Sequence, residues 1–179
     1  MKLFFTIFTI TFLAIIEIMF GNFGIFFPIL SLGIIYFAQT NSRLFMLIAA
    51  LITGIVIDIY LYHRAIPINL FIFVLLIFLQ KPYKHLIDKG LAINSLIGGI
   101  IFTIIYLINC GISFYNNWDL ISNLFLFFST IIFNFCLGTV AMMILLITLE
   151  SIAEKLKLPL FLQSGHRAIH RSFFYSRSK

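Results

Sequence analysis

Charge is what this chain has least of. Only 10% of its 179 residues are charged and six are acidic, against about 25% charged in an ordinary soluble domain. A soluble globular protein is excluded on that ground. Cysteine is almost as scarce: Cys110 and Cys136 stand alone, which removes a disulfide scaffold and a Cys-based metal motif and leaves two buried small hydrophobes as the expectation. There is no Gly-rich phosphate loop, no metal-ligand spacing and no nucleophile–base set. No enzymatic activity, cofactor or nucleic-acid partner is therefore expected. What fills the chain instead is apolar: 62% hydrophobic residues, 23 phenylalanines and a mean hydropathy of +1.13.

About 20 apolar residues cross a bilayer core as a helix. The apolar runs predict an all-α, polytopic integral membrane protein with six transmembrane helices, over residues 3–20, 25–38, 44–62, 66–79, 91–108 and 120–149. The last run is longer than a span needs, so it is tilted or starts near Leu124. The second and fourth runs are short, and each carries a proline near its start, Pro28 and Pro67. The N-terminal run has no small-x-small cleavage site and contains Glu17, so it reads as a retained helix rather than a leader. No internal repeat is convincing. The expected division is a six-helix membrane domain over 1–150 and, over 151–179, a cytoplasmic helix end with a basic, aromatic tail.

Basic residues test the count. With the N-terminus in the cytoplasm, Lys2, Arg43, Lys81, Lys84, Lys89 and the six Lys and Arg after position 150 all fall inside, and Arg64 alone falls outside. That is the positive-inside pattern. It predicts both termini in the cytoplasm. The only sizeable outer connection, 109–119, holds Tyr115 and Trp118, residues that suit the headgroup level.

Against this background the carboxylates Glu17 and Asp58 stand out. An acidic group at membrane depth costs roughly 2.5–3.5 kcal/mol on insertion scales and normally faces protein or a wet cavity. Ala50, Gly54 and Asp58 recur every four residues and form one stripe, with small residues that admit a close neighbouring helix. Two readings stay open at Asp58: packing and assembly, or a proton or ligand site. Asn69 is a second polar group at depth, expected to hydrogen-bond to another helix. Glu17, Asp58, His63 and Arg64 form a candidate intramembrane polar site, with an Asp58–Arg64 ion pair sterically feasible. Asn94 with Gly98, and Asn134 with Gly138, repeat the polar-then-small step and read as helix packing. In the tail, Arg167, Arg171, Arg177 and Lys179 among Phe173, Phe174 and Tyr175 predict attachment to anionic membrane lipid, at about 1 kcal/mol per basic residue.

The stretch from Gly54 to Leu70, GIVIDIYLYHRAIPINL, resembles the MreD family of bacterial rod shape-determining proteins. That family has Gly-x-x-x-Asp at the end of a membrane helix, a short turn, and Gly-x-Asn opening the next helix. Gly54 and Asp58 match the first part and Asn69 the last; Pro67 stands where the family usually has glycine. The match covers under a tenth of the chain. The resemblance implies a non-enzymatic scaffold of the cell-elongation, peptidoglycan-synthesising machinery in the bacterial inner membrane, partnered by MreC and other elongation proteins, with the homo-oligomeric state open. It also implies a fold similar to the substrate-binding subunit of energy-coupling-factor transporters. That makes a small-molecule binding subunit of such a transporter the alternative, with Trp118, Tyr115, Asp58, His63 and Arg64 available to line its cavity.

Overall fold

The structure, a computed structural model, describes residues 1–23, 25–61, 67–79, 90–113, 124–158 and 161. Among them are six helices: α1 (Lys2–Asn22), α2 (Ile29–Thr40), α3 (Arg43–Tyr60), α4 (Ile68–Phe78), α5 (Leu91–Ser113) and α6 (Leu124–Lys155). Helices α1, α3, α5 and α6 are long and apolar enough to cross a membrane. α2 and α4, at 12 and 11 residues, reach only about 16–18 Å at 1.5 Å per residue. Large apolar side chains cover the outside, among them Phe4, Phe8, Phe12, Leu44, Ile52, Ile132 and Phe133. An apolar perimeter of that extent belongs in lipid, and the chain is a helical, membrane-embedded protein.

The helix limits follow from local chemistry. A proline disfavours helical geometry in the residue before it, so α2 and α4 begin just after Pro28 and Pro67. These starts fall later than the hydropathy runs at 25 and 66. α5 continues past the expected end at 108 to Ser113, and α6 begins at Leu124 and runs on to Lys155.

α2 is the centre of the bundle. It meets all five other helices, and every residue from Leu30 to Ala38 is buried. α4 lies at the edge: only Asn69, Phe73 and Ile77 are buried, while Phe71, Leu75 and Phe78 face outward. α5 and α6 form the tightest pair. A Cβ on Gly99 would lie 2.2 Å from Thr139 Oγ1 and 2.9 Å from the Phe135 carbonyl oxygen, and one on Gly138 would lie 2.6 Å from Phe102 Cβ. The glycines set that spacing, as small residues do between membrane helices.

The expectation for cysteine needs correction. Cys136 is exposed on the outer face of α6, beside Ile132 and Phe133, where a small apolar thiol is as compatible with lipid as with a core. The side chain of Cys110 lies outside the described residues.

Candidate functional site

Both intramembrane carboxylates do the same thing: each holds the N-terminus of a short helix. The first N–H groups of a helix have no partner within it. Ordinarily a Ser, Thr, Asp or Asn at the N-cap supplies one. In α2 and α4 the N-cap is Pro28 or Pro67, and neither makes a side-chain cap. Because these helices are too short to reach the bilayer surface unaided, water cannot be relied on for the bonds either. The acceptors come from the preceding long helix. Glu17 Oε2 on α1 accepts from the Leu30 N–H at 2.9 Å. Asp58 Oδ2 on α3 accepts from the Asn69 N–H at 2.8 Å and the Leu70 N–H at 3.2 Å. A carboxylate also complements the positive end of the helix dipole.

The opposite ends carry the complementary charge. The Lys2 ammonium donates to the Thr40 carbonyl oxygen at the last residue of α2. The Arg43 guanidinium lies 5.8 Å from the centroid of the Phe78 ring, at the last residue of α4. Lys2 precedes Glu17 by fifteen residues, and Arg43 precedes Asp58 by the same fifteen. α1–α2 and α3–α4 are thus two versions of one unit: a long helix with a cation at its start and an acid near its end, clamping a proline-initiated short helix. The repeat is absent from side-chain identity and present in the placement of charge.

The α3–α4 version is elaborated into a polar chain. Asp58 Oδ1 accepts from Asn69 Nδ2 at 2.8 Å. Asn69 Oδ1 accepts from Asn109 Nδ2 at 2.9 Å, which also donates to the Ile105 carbonyl oxygen at 3.1 Å. All three side chains are buried, at 1%, 2% and 0% exposure. They tie α3 to α4 and α4 to α5. A glycine makes the approach possible: a Cβ on Gly54 would lie 2.5 Å from Leu70 Cα and 2.8 Å from its N. The Ala50–Gly54–Asp58 stripe is accordingly buried within this chain, with Gly54 and Asp58 against the first turn of α4.

Of the predicted site residues, Gly54, Asp58 and Asn69 come together, Ala50 is buried two turns earlier on the same stripe of α3, and Glu17 serves a different helix. His63, Arg64, Tyr115 and Trp118 lie outside the described residues, as do Arg167, Arg171, Phe173, Phe174, Arg177 and Lys179 of the tail. Asn94 and Asn134 each donate to the carbonyl four residues earlier in the chain, those of Gly90 and Thr130, at 2.8 Å each. Among the described residues no three of His, Cys, Asp and Glu are grouped to hold a metal ion.

Sequence reasoning missed two partners. Asn109 follows the apolar run that ends at 108, so the sequence places it in an outer connection. At the Lys2 end of the bundle, Glu150 on α6 accepts from the Tyr36 hydroxyl at 3.3 Å and the Phe161 N–H at 2.6 Å. The Phe161 ring stacks on Tyr36 at 5.4 Å between centroids. A carboxylate one turn before the end of a long helix carried no signal of that role.

Compared with known proteins, the chain matches no family model, no curated protein and no solved structure.

Proposed function

We propose that the chain is a non-enzymatic scaffold subunit of the bacterial cell-elongation machinery, held in the inner membrane by six spans and packed against MreC. The observation that carries this reading is the polar chain at Asp58. The three residues on which the resemblance to the MreD family rests, Gly54, Asp58 and Asn69, are neighbours at one helix junction. A pattern of that kind is expected where the residues serve a rigid architecture. Two charge-clamped short helices give a bundle of fixed shape, which is what a scaffold needs. The alternative, a ligand-binding subunit of an energy-coupling-factor transporter, requires Asp58 to face a ligand. Its three hydrogen bonds to α4 weigh against that.

The test is co-purification. The tagged full-length chain, extracted in mild detergent from its own cells, is expected to bring down MreC, and its depletion is expected to round the cells. Recovery of an ATPase pair with a membrane coupling subunit, and no change of shape, would replace this reading by the transporter one.

Topology is checked separately. In a background with Cys110 and Cys136 changed to alanine, single cysteines at Leu86, Tyr115 and Tyr175 are exposed to a membrane-impermeant thiol reagent in intact cells. Only position 115 is expected to react. Labelling at 86 would mean that α3 and α4 do not both return the chain across the bilayer.

A further inference from the structure

α6 ends in a turn that reverses the chain. The Leu158 N–H donates to the Ala153 carbonyl oxygen at 2.8 Å, and the Lys157 N–H donates to the Glu154 carbonyl oxygen at 3.0 Å. That pair of bonds closes a helix whose next residue is left-handed. Here the left-handed residue is Lys157, at φ 54°. Glycine usually holds this position, because a Cβ crowds the following carbonyl in that conformation. Among the described residues Lys157 is the only one besides glycine with a positive φ. The turn forms against a local cost, and a contact beyond it has to offset that cost.

Phe161 supplies the contact. Its N–H donates to Glu150 Oε1 at 2.6 Å, on the turn of α6 that precedes the reversal. Its ring stacks on Tyr36 of α2, with centroids 5.4 Å apart and planes 16° apart. The same Glu150 oxygen accepts from the Tyr36 hydroxyl at 3.3 Å. Phe161 is 0% exposed and Tyr36 1%. Leu158 adds to the seat, lining a small crevice with Ala153, Tyr36 and Phe37. The anchorage therefore crosses from α6 to the central helix, and it is small: one buried ring and one hydrogen bond, set against a left-handed lysine.

We propose that the turn at Lys157 and the Phe161 seat form a releasable latch. Closed, it fastens the end of α6 to the end of α2 and places the start of residues 162–179 beside the central helix. Released, that stretch starts from α6 itself, whose last turns carry Ile147 and Ile152 on the outer, lipid-facing side. The latch thus sets the point from which the basic, aromatic tail acts. A permanent attachment would place glycine at 157 and avoid the cost of the turn. Lysine keeps the closed and open states close in free energy, so a modest competitor for the Tyr36 face opens the latch. The device is separate from the Asp58 junction and stands or falls independently of the scaffold reading.

Amide hydrogen exchange reads the latch directly, because the Leu158 and Phe161 N–H groups are both bonded within it. The full chain in phosphatidylcholine nanodiscs is exchanged and digested, and peptides covering 156–162 are followed beside those of α2. The wild-type latch amides are expected to exchange by local opening, faster than those of α2. Phe161→Ala is expected to speed them at least about tenfold and to leave α2 unchanged. Tyr36→Leu removes the stacking platform without altering the latch sequence, and is expected to speed the same two amides. Lys157→Gly is expected to slow them about fivefold, since glycine adopts the left-handed turn without penalty. Latch amides that exchange no faster than α2 would overturn the proposal, because the seat would then be a fixed part of the bundle. So would unchanged latch exchange in Phe161→Ala, a rise in α2 exchange in that variant, or faster latch exchange in Lys157→Gly.

Discussion

Gly54→Leu is expected to detach α4 from α3 and to cost the protein more than any other single substitution on this face. Even a methyl group at position 54 would stand 2.5 Å from Leu70 Cα and 2.8 Å from its N. Those are backbone atoms of the first turn of α4, so no side-chain rotation relieves the clash. The helix itself must move. Overpacking alone costs about 1–3 kcal/mol. Here it also pulls the Asn69 and Leu70 N–H groups away from Asp58, and each buried donor left unpaired adds about 1–3 kcal/mol. The measurement is thermal unfolding in detergent beside MreC co-purification. A marked fall in melting temperature together with loss of the complex is the expected outcome. Gly21→Leu provides the comparison. The atoms a Cβ would meet there are Cδ1, Cγ and Cδ2 of Leu61, the outer part of a half-buried side chain that can change rotamer, so the loss should be smaller. Wild-type melting of Gly54→Leu would show that α4 does not rest on α3 at this point.

The helical, membrane-embedded character of the chain was legible because apolar runs of span length leave little choice. Glu17, Asp58 and Asn69 were legible as special because polar groups at membrane depth are expensive. Their partners were not. A cap normally lies within a few residues of the helix it serves, and here it lies eleven to thirteen residues upstream, on another helix. The usable signal was the pairing of each carboxylate with a later proline: Glu17 with Pro28, Asp58 with Pro67. Each proline removes the side chain that would have capped locally, so an acceptor has to come from elsewhere. The Glu150–Tyr36–Phe161 cluster lay further out of reach, since Tyr36 and Glu150 are 114 residues apart and only the packing of α2 against α6 brings them together.

The same reasoning explains why the two short helices differ in exposure yet share a design. α2 is enclosed by its five neighbours and gains most of its stability from burying nearly its whole length. α4 buries a single stripe, Asn69, Phe73 and Ile77. With less apolar burial to hold it, α4 depends more on its polar attachments. At its start α4 accordingly donates three hydrogen bonds to Asp58 and accepts one from Asn109, where the start of α2 donates one, to Glu17.

Asp58 should therefore be the polar residue whose loss is most damaging, and the substitutions there should rank by the acceptors they keep. Asp58→Ala strands two backbone N–H groups and the Asn69 amide at once. A loss of at least about 3 kcal/mol is expected, since unpaired buried donors cost about 1–3 kcal/mol each and do not add fully. Asp58→Asn keeps one acceptor. Its Oδ1 can face the Asn69 and Leu70 N–H groups, and its NH2 then meets the Asn69 NH2. That conflict is relieved if the Asn69 amide turns over to present its oxygen to position 58. Asn69 Nδ2 then faces Asn109, which must turn over in its turn and give up its donation to the Ile105 carbonyl. The polarity of the whole chain reverses at the cost of about one hydrogen bond, roughly 0.5–1.5 kcal/mol. Asn109→Leu in the Asp58→Asn background should then cost less than Asn109→Leu alone, because the reversed chain makes less use of Asn109 as a donor. Denaturation of the four proteins in mixed micelles gives this double-mutant cycle. Cell shape supplies the second readout. If Asp58→Asn keeps its stability and its hold on MreC but rounds the cells, capping does not exhaust the role of this carboxylate, and its charge acts on something beyond α4.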